Sequence, residues 1–309
     1  MLDLIGLKVT PSEFFKQYLS RLSADNATIP QLIELFRLNF GIPPIGAGWT
    51  LAEDSILQEP AIIRRNLNDL REAYYGEFSE ATCRISIDII LIQCRKYVRQ
   101  KYGLQKPKVD TLGVPSTPGK AIVTQAATPA SSQALKWLFK LYPESAISIE
   151  IVDPRSADRN FVVCGRADWA LGYGSNDEDG ALLVALEAKR RSEFISGESQ
   201  LIAYLAILRE LSRNAGKRNL ITQGVYSDGT RFAFICIKHD CSVEESPTYD
   251  TQAAGGLQMV FSFIVAMLET AMKSTSTATP TKPGAQQDKE IQNLEDEAWG
   301  MVRKLMDES

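Results

Sequence analysis

The sequence predicts an α/β fold, and three observations carry that expectation. Long-helical periodicity runs from Ala61 to about Lys101, a succession of β-type runs interrupted by one helical run extends from Ala146 to Ile237, and an apolar helix follows. Hydrophobic residues make up 44% and charged residues 23% of the 309 positions, ordinary globular values that exclude collagen-like, coiled-coil and wholly disordered chains.

Residues 1–60 read as a helical N-terminal extension. Pro11 follows Thr10 as in a first helical turn, Leu32, Leu35 and Phe36 recur at helical spacing, and GIPPIGAG at 41–48 breaks the pattern. From Ala61 onward, Ile85, Ile89, Ile92 and Tyr97 form the expected apolar stripe, with Gly76 separating two helices and Gly103 ending the second. Pro107, Pro115, Pro118 and Pro129, set among Thr, Ser and Ala, make 107–132 an irregular insertion. A short helix is expected around Gln133–Tyr142, then strands at Ala146–Val152, Asn160–Leu171 and Ala181–Lys189. Ser199–Arg213 is helical. Leu220–Tyr226 and Arg231–Ile237 are strands joined through Asp228-Gly229, a pair that tolerates the positive φ of a tight hairpin. Leu257–Met272 is a buried helix that completes a domain over 61–272. It shares an uncharged stretch of 18 residues, Thr251 to Leu268, of which only about ten are apolar, too few to span a membrane. In 273–309, STSTATPTKPGAQQ is a linker by composition. Ile291, Leu294, Trp299, Val302 and Leu305 then space out an amphipathic tail helix that docks on its own domain or on a protein partner.

Composition narrows the chemistry. Lys plus Arg number 34 against 38 Asp plus Glu, a net charge of −4, so any nucleic-acid contact must come from a local basic patch. Five scattered cysteines without a CxxC pair argue against a disulfide framework. The single histidine, His239, excludes a Cys/His zinc cage, a His-rich metal site and an HNH-type centre, which need more ligands. The opening MLDLIGLKVTPSEFF carries Asp3 and no small-residue cleavage site, so no secretory signal is expected. The expected location is intracellular, nucleus or cytoplasm, with no membrane partner.

The informative residues are Gly165-Arg-Ala-Asp168 on one strand, Glu187-Ala-Lys189 ending the next, and Gln200-Leu-Ile-Ala-Tyr204 on the following helix. Side chains alternate along a strand, so Glu187 and Lys189 share one face while Ala188 points into packing. With Asp168 on the adjacent strand, two hard oxygen ligands converge on a divalent cation such as Mg²⁺ or Mn²⁺. Phosphodiester hydrolysis fits this set: the metal polarises a phosphoryl oxygen and acidifies its water, and Lys189 positions that water or stabilises the developing oxyanion. Gln200 and Tyr204 lie on one helix face, placed to brace the lysine or to contact substrate phosphate. Trp169 is expected in the core.

GRAD, then ExK, then QxxxY resembles the PD-(D/E)XK nuclease superfamily, especially its RecB-type and fungal Crinkler-associated branches, over roughly Ala61 to Met272. The resemblance implies a restriction-endonuclease-like core, a central mixed sheet flanked by helices, and Mg²⁺ dependence. It implies metal-bridging by Asp168, a second acid at Glu187, the family lysine at Lys189 and the RecB-type glutamine at Gln200. It also implies a further metal ligand in the Ala188 carbonyl and an acid on the first core helix, best matched by Glu80, with Glu77 and Glu72 close rivals. No proline precedes Asp168, where the family's name has one.

From Ile89 to Val109 there is no acid but six bases, among them Arg95, Lys96, Arg99 and Lys101. Arg190 and Arg191 add a second cluster beside Lys189. Together these bases are expected to track a nucleic-acid backbone. The expected function is a divalent-metal-dependent nuclease acting on DNA rather than RNA. The alternative is a nuclease-fold module that binds nucleic acid or protein without cleaving.

Overall fold

The computed structural model describes residues 20–41, 49, 51–75, 79–102, 139–154, 156–173, 181–217 and 219–276. The 107–132 insertion, Gly76, Glu77 and the tail helix of 288–309 lie outside the described residues.

Strand β1 (Ser20–Ser23) leads through a 3-10 turn at Ala24–Asn26 into α1 (Ile29–Phe36). Helix α1 opens on a capping box in which Thr28 and Gln31 satisfy one another's end of the first turn, with Pro30 inside it, where a missing N–H costs nothing. Then come α2 (Ala61–Ala73) and α3 (Glu80–Lys101). They are followed by β2 (Phe139–Asp153), β3 (Ser156–Tyr173), β4 (Ala181–Ala188) and α4 (Ser196–Asn214). The chain continues through β5 (Thr222–Ser227), β6 (Arg231–Ile237), β7 (Val243–Glu245), β8 (Tyr249–Asp250) and α5 (Gly256–Ser276).

The strands form one mixed sheet ordered β1-β3-β4-β5-β6-β7, with β2 along the other edge of β3 and β8 on β6. The β1/β3 and β4/β5 pairs are parallel and the others antiparallel. Helices cover both faces. On one, Ile63, Ile90, Cys94, Phe261 and Ile264 of α2, α3 and α5 pack against Trp169, Leu186, Val225, Phe232 and Phe234. On the other, Leu32 and Phe36 of α1 and Leu201, Tyr204 and Leu205 of α4 cover Ile147, Val163, Tyr226 and Ile235. Such a three-layer arrangement buries apolar side chains on both faces of the strands, which is why β6, RFAFICI, reads as a nearly continuous apolar run. The α/β class and the mixed sheet flanked by helices are therefore as expected.

Three expectations are corrected. The described part of the N-terminal extension is not wholly helical: β1 joins the sheet, a contribution that four residues are too few to announce by periodicity. Residues 139–142, assigned to the end of a helix, open β2 instead, and the rest of Gln133–Tyr142 lies outside the described residues. On α3 the stripe is half right: Ile89 and Tyr97 pack against the core, but Ile85 and Ile92 are exposed while Cys83, Ile87, Ile90, Leu91, Cys94 and Val98 are buried. Isoleucines encircle this helix, so the buried side is chosen by its small residues. A Cβ on Gly229, at the tip of the β5/β6 hairpin, would lie 2.9 Å from Cys83 Cα and 3.1 Å from Ser86 Cβ. Only a narrow face of α3 fits there. Among the described residues no helix is long and apolar enough to cross a membrane.

Candidate active site

Strand β3 is the frame of the site because its inner edge changes partner. Residues 161–164 pair with β1 and residues 169–173 with β4, leaving 165–168 between two diverging neighbours. The face alternation also breaks there: Ala167 packs into the α4 layer and Trp169 into the α3 layer, its indole bonded to Asp88. Asp168, between them, lies in the fork of the sheet. Its Oδ2 accepts the Ala188 N–H at 2.7 Å, a side-chain substitute for the ladder bond that the divergence removes.

The fork has a plug. Tyr204 on α4 is 0% exposed; its hydroxyl donates to the Arg166 carbonyl at 2.8 Å and accepts from Gln200 Nε2 at 2.6 Å. Gly165 makes room for the ring, since a Cβ there would sit 2.5 Å from Tyr204 Cε1. Gln200 and Tyr204 thus brace β3 and not Lys189. Tyr204 is corrected as a nucleic-acid contact, because a fully buried ring presents nothing to a phosphate.

Glu187 and Lys189 share a face as the strand alternation requires, with Nζ 2.9 Å from Oε1, while Ala188 is buried in the opposite layer. Gly197 lets the first turn of α4 close over Lys189, where a Cβ would lie 3.2 Å from Lys189 Cγ. Glu187 is 4% exposed, and its buried Oε2 has no hydrogen-bond partner among the described residues. Burial, reinforced by the charge of Asp168, pushes the Glu187 carboxyl up to about 8 against the pull of Lys189. Asp168 is also raised by burial, opposed by the Ala188 N–H and by Arg84.

Of the three rival acids, the structure brings Glu80 to the site. It opens α3 behind the cap Ser79, whose hydroxyl oxygen accepts the Thr82 N–H at 3.2 Å. Glu72 is exposed on α2, lining a groove with Gln58, Arg65 and Asp69 that includes none of the site residues, and Glu77 lies outside the described residues. Between Glu80 and Asp168 stands Arg84, a residue the motif reading missed. Its Nη2 bonds Glu80 Oε1 at 3.0 Å and pairs with Asp168 Oδ1, and its Nη1 lies 3.7 Å from Glu144 Oε1. The spacing of Glu80 and Arg84, one helical turn, is the only trace of this pair in the sequence. Glu144 left none: it sits on β2 between the residues paired with Trp169 and Ala167, at a φ of 49°, strained for a residue with a side chain.

The basic residues divide. Arg190 and Arg191 are exposed beside Lys189, on a segment held by Arg231, which donates to the Arg191 carbonyl at 2.9 Å and lies over Phe194. Arg95, Lys96, Arg99 and Lys101 are on the last turns of α3, roughly 16–25 Å along the helix from Arg84 at 1.5 Å per residue. Lys101 there pairs with Glu269 at 2.7 Å. The two clusters do not form one surface around the site.

Among the described residues no group of three His, Cys, Asp or Glu side chains is arranged to hold a metal ion. Mg²⁺ is commonly held by one or two carboxylates, with water and substrate phosphate filling the remaining positions. A buried carboxylate oxygen without a donor, adjacent to a second carboxylate, fits such an ion. Glu187 Oε2 and Asp168 would hold it, with Glu80 at the rim. The Ala188 carbonyl, expected as a further ligand, belongs to the residue whose N–H Asp168 accepts. No protein-family model matches the chain. No curated protein matches it significantly.

Proposed function

We propose that the chain is a divalent-metal-dependent nuclease that hydrolyses phosphodiester bonds, with DNA as its substrate. The observation that carries this reading is Glu187: a carboxylate 4% exposed, beside Asp168 and 2.9 Å from Lys189, with one oxygen left unsatisfied. A buried acid without a donor is costly to keep, and sites that keep one tend to be functional. The order of elements adds support, since α3-β2-β3-β4-α4-β5 sets the three acids and the lysine at one fork of one sheet. This is the arrangement expected of the restriction-endonuclease-like core that GRAD, ExK and QxxxY resemble.

Bound Mg²⁺ or Mn²⁺ would polarise the phosphoryl oxygen and make a hydroxide available near neutral pH. Lys189, held against Glu187, orients the attacking water and faces the charge that develops on the phosphoryl oxygens. Asp168 is fixed by the Ala188 N–H on Oδ2, and its Oδ1 pairs with Arg84. Arg190 and Arg191, exposed at the rim, meet flanking phosphates.

One observation favours a second reading, a module that binds nucleic acid without cutting it: Arg84 is already paired with Glu80 and Asp168. A cleavage time course separates the two. Labelled linear, circular and single-stranded DNA and RNA are incubated with Mg²⁺, Mn²⁺ or EDTA, comparing wild type with Lys189→Ala and Glu187→Gln. The expected result is metal-dependent cutting of DNA that falls at least about a hundredfold in each variant. Absence of cutting by wild type on every substrate removes the nuclease reading in favour of the binding module.

A further inference from the structure

Arg84 occupies the position that an ion shared by Glu80 and Asp168 would take, with a single nitrogen, Nη2, paired to both carboxylates. A third acid, Glu144, reaches the same guanidinium from a residue held at positive φ. The fit is nevertheless incomplete on both sides. Among the described residues, buried Arg84 Nε has no acceptor, and buried Glu187 Oε2, beside Asp168, has no donor. A guanidinium is a planar fork of five N–H groups suited to paired contacts with one carboxylate. An arginine placed only to secure the fold would use that fork; this one spreads across three acids by single contacts. With Arg84 withdrawn, Glu80 and Asp168 lose the cation that they share, a charge that a divalent ion would restore. The Arg84 side chain is 35% exposed, so it has a route to solvent that leaves α3 in place.

We infer that Arg84 is a displaceable counter-ion, which holds the cation position while the site is metal-free and leaves it when a divalent ion binds. This rests on the metal-dependent reading above. Arginine pairing and metal binding are then mutually exclusive, and each weakens the other by the same factor. The displaced guanidinium stays tethered one turn into α3, at the mouth of the site.

The test is a calorimetric titration of MnCl₂ into EDTA-stripped full-length protein without nucleic acid, comparing wild type, Arg84→Ala, Arg84→Lys and Glu187→Gln, with thermal melts of each at zero and saturating Mn²⁺. Arg84→Ala is expected to bind Mn²⁺ about tenfold more tightly than wild type and to show the larger metal-induced rise in melting temperature. Arg84→Lys, whose point charge spans both carboxylates less well, is expected to fall between them, and it carries the test if the alanine variant does not fold. Glu187→Gln is expected to weaken binding. Mn²⁺ affinity in the Arg84 variants equal to or below that of wild type overturns the inference while the metal site stands. Absence of binding by wild type and the Arg84 variants alike overturns the metal site and the inference with it.

Discussion

Burial governs the chemistry of Glu187, and it does so with a sign that can be measured. Its carboxyl is held at about 8 in the folded chain against an ordinary value of 4.5, so between those pH values the folded form keeps a proton that the unfolded chain has released. The stability this residue contributes is fully present below about 4.5 and is lost as pH rises through about 8. Urea denaturation of metal-free protein at pH 5 and pH 8 should show wild type losing more stability across that interval than Glu187→Gln; parallel losses would contradict it. At Tyr204, removal of the hydroxyl leaves the Arg166 carbonyl and Gln200 without their partner. Tyr204→Phe should cost about 1–3 kcal/mol of stability in the same assay. Its effect on nucleic-acid affinity of the folded protein should be negligible, since the ring is buried. GRAD, ExK and QxxxY were legible residue by residue, but their contacts were not. The glutamine and tyrosine are one turn apart and do lie together, yet they serve a strand carbonyl left unpaired by the fork, and no local pattern encodes a fork.

Among elements, the β5/β6 hairpin shows how a turn read from two residues acquires a second duty. Asp228 accepts backbone N–H groups of Thr230 and Arg231 and pairs with the Arg231 guanidinium, so the turn is internally closed. Gly229, at φ 79°, lets the same turn press against Cys83 and Ser86 of α3. Gly229→Ala should therefore cost more than the conformational penalty alone, about 2 kcal/mol or more, as measured by denaturation midpoint. Gly216 is the internal comparison: it has φ 69° but nothing within 4 Å, so Gly216→Ala should cost about 1–2 kcal/mol. An equal cost at both sites would show that the hairpin tip is not pressed on the helix. The docking matters for the site because it sets the side of α3 that faces the sheet, and with it the positions of Glu80 and Arg84. Helix α4 was placed to within three residues at its start, since its apolar density and the following hairpin bracket it. Strand β1 was not placed, since it has too few residues to display a period and pairs with a strand far along the chain.

For the molecule as a whole, the separation of the two basic clusters makes binding testable by salt. If Arg190 and Arg191 meet phosphates, replacing each by alanine should weaken nucleic-acid binding and lower the salt dependence of log K by about one unit. Alanine at Lys96 and Arg99, on the far turns of α3, should leave that slope unchanged. A slope that falls for the far pair would mean that the ligand runs the length of α3. The α/β class and the succession of most strands and helices were determined by the sequence, because periodicity and turn chemistry are local properties. Tertiary structure alone decided which face of α3 is buried, that the first described strand joins the sheet, and that Arg84 lies between Glu80 and Asp168. Those outcomes depend on which surfaces pack together and how the strands diverge, and side chains distant in sequence meet only after the layers close.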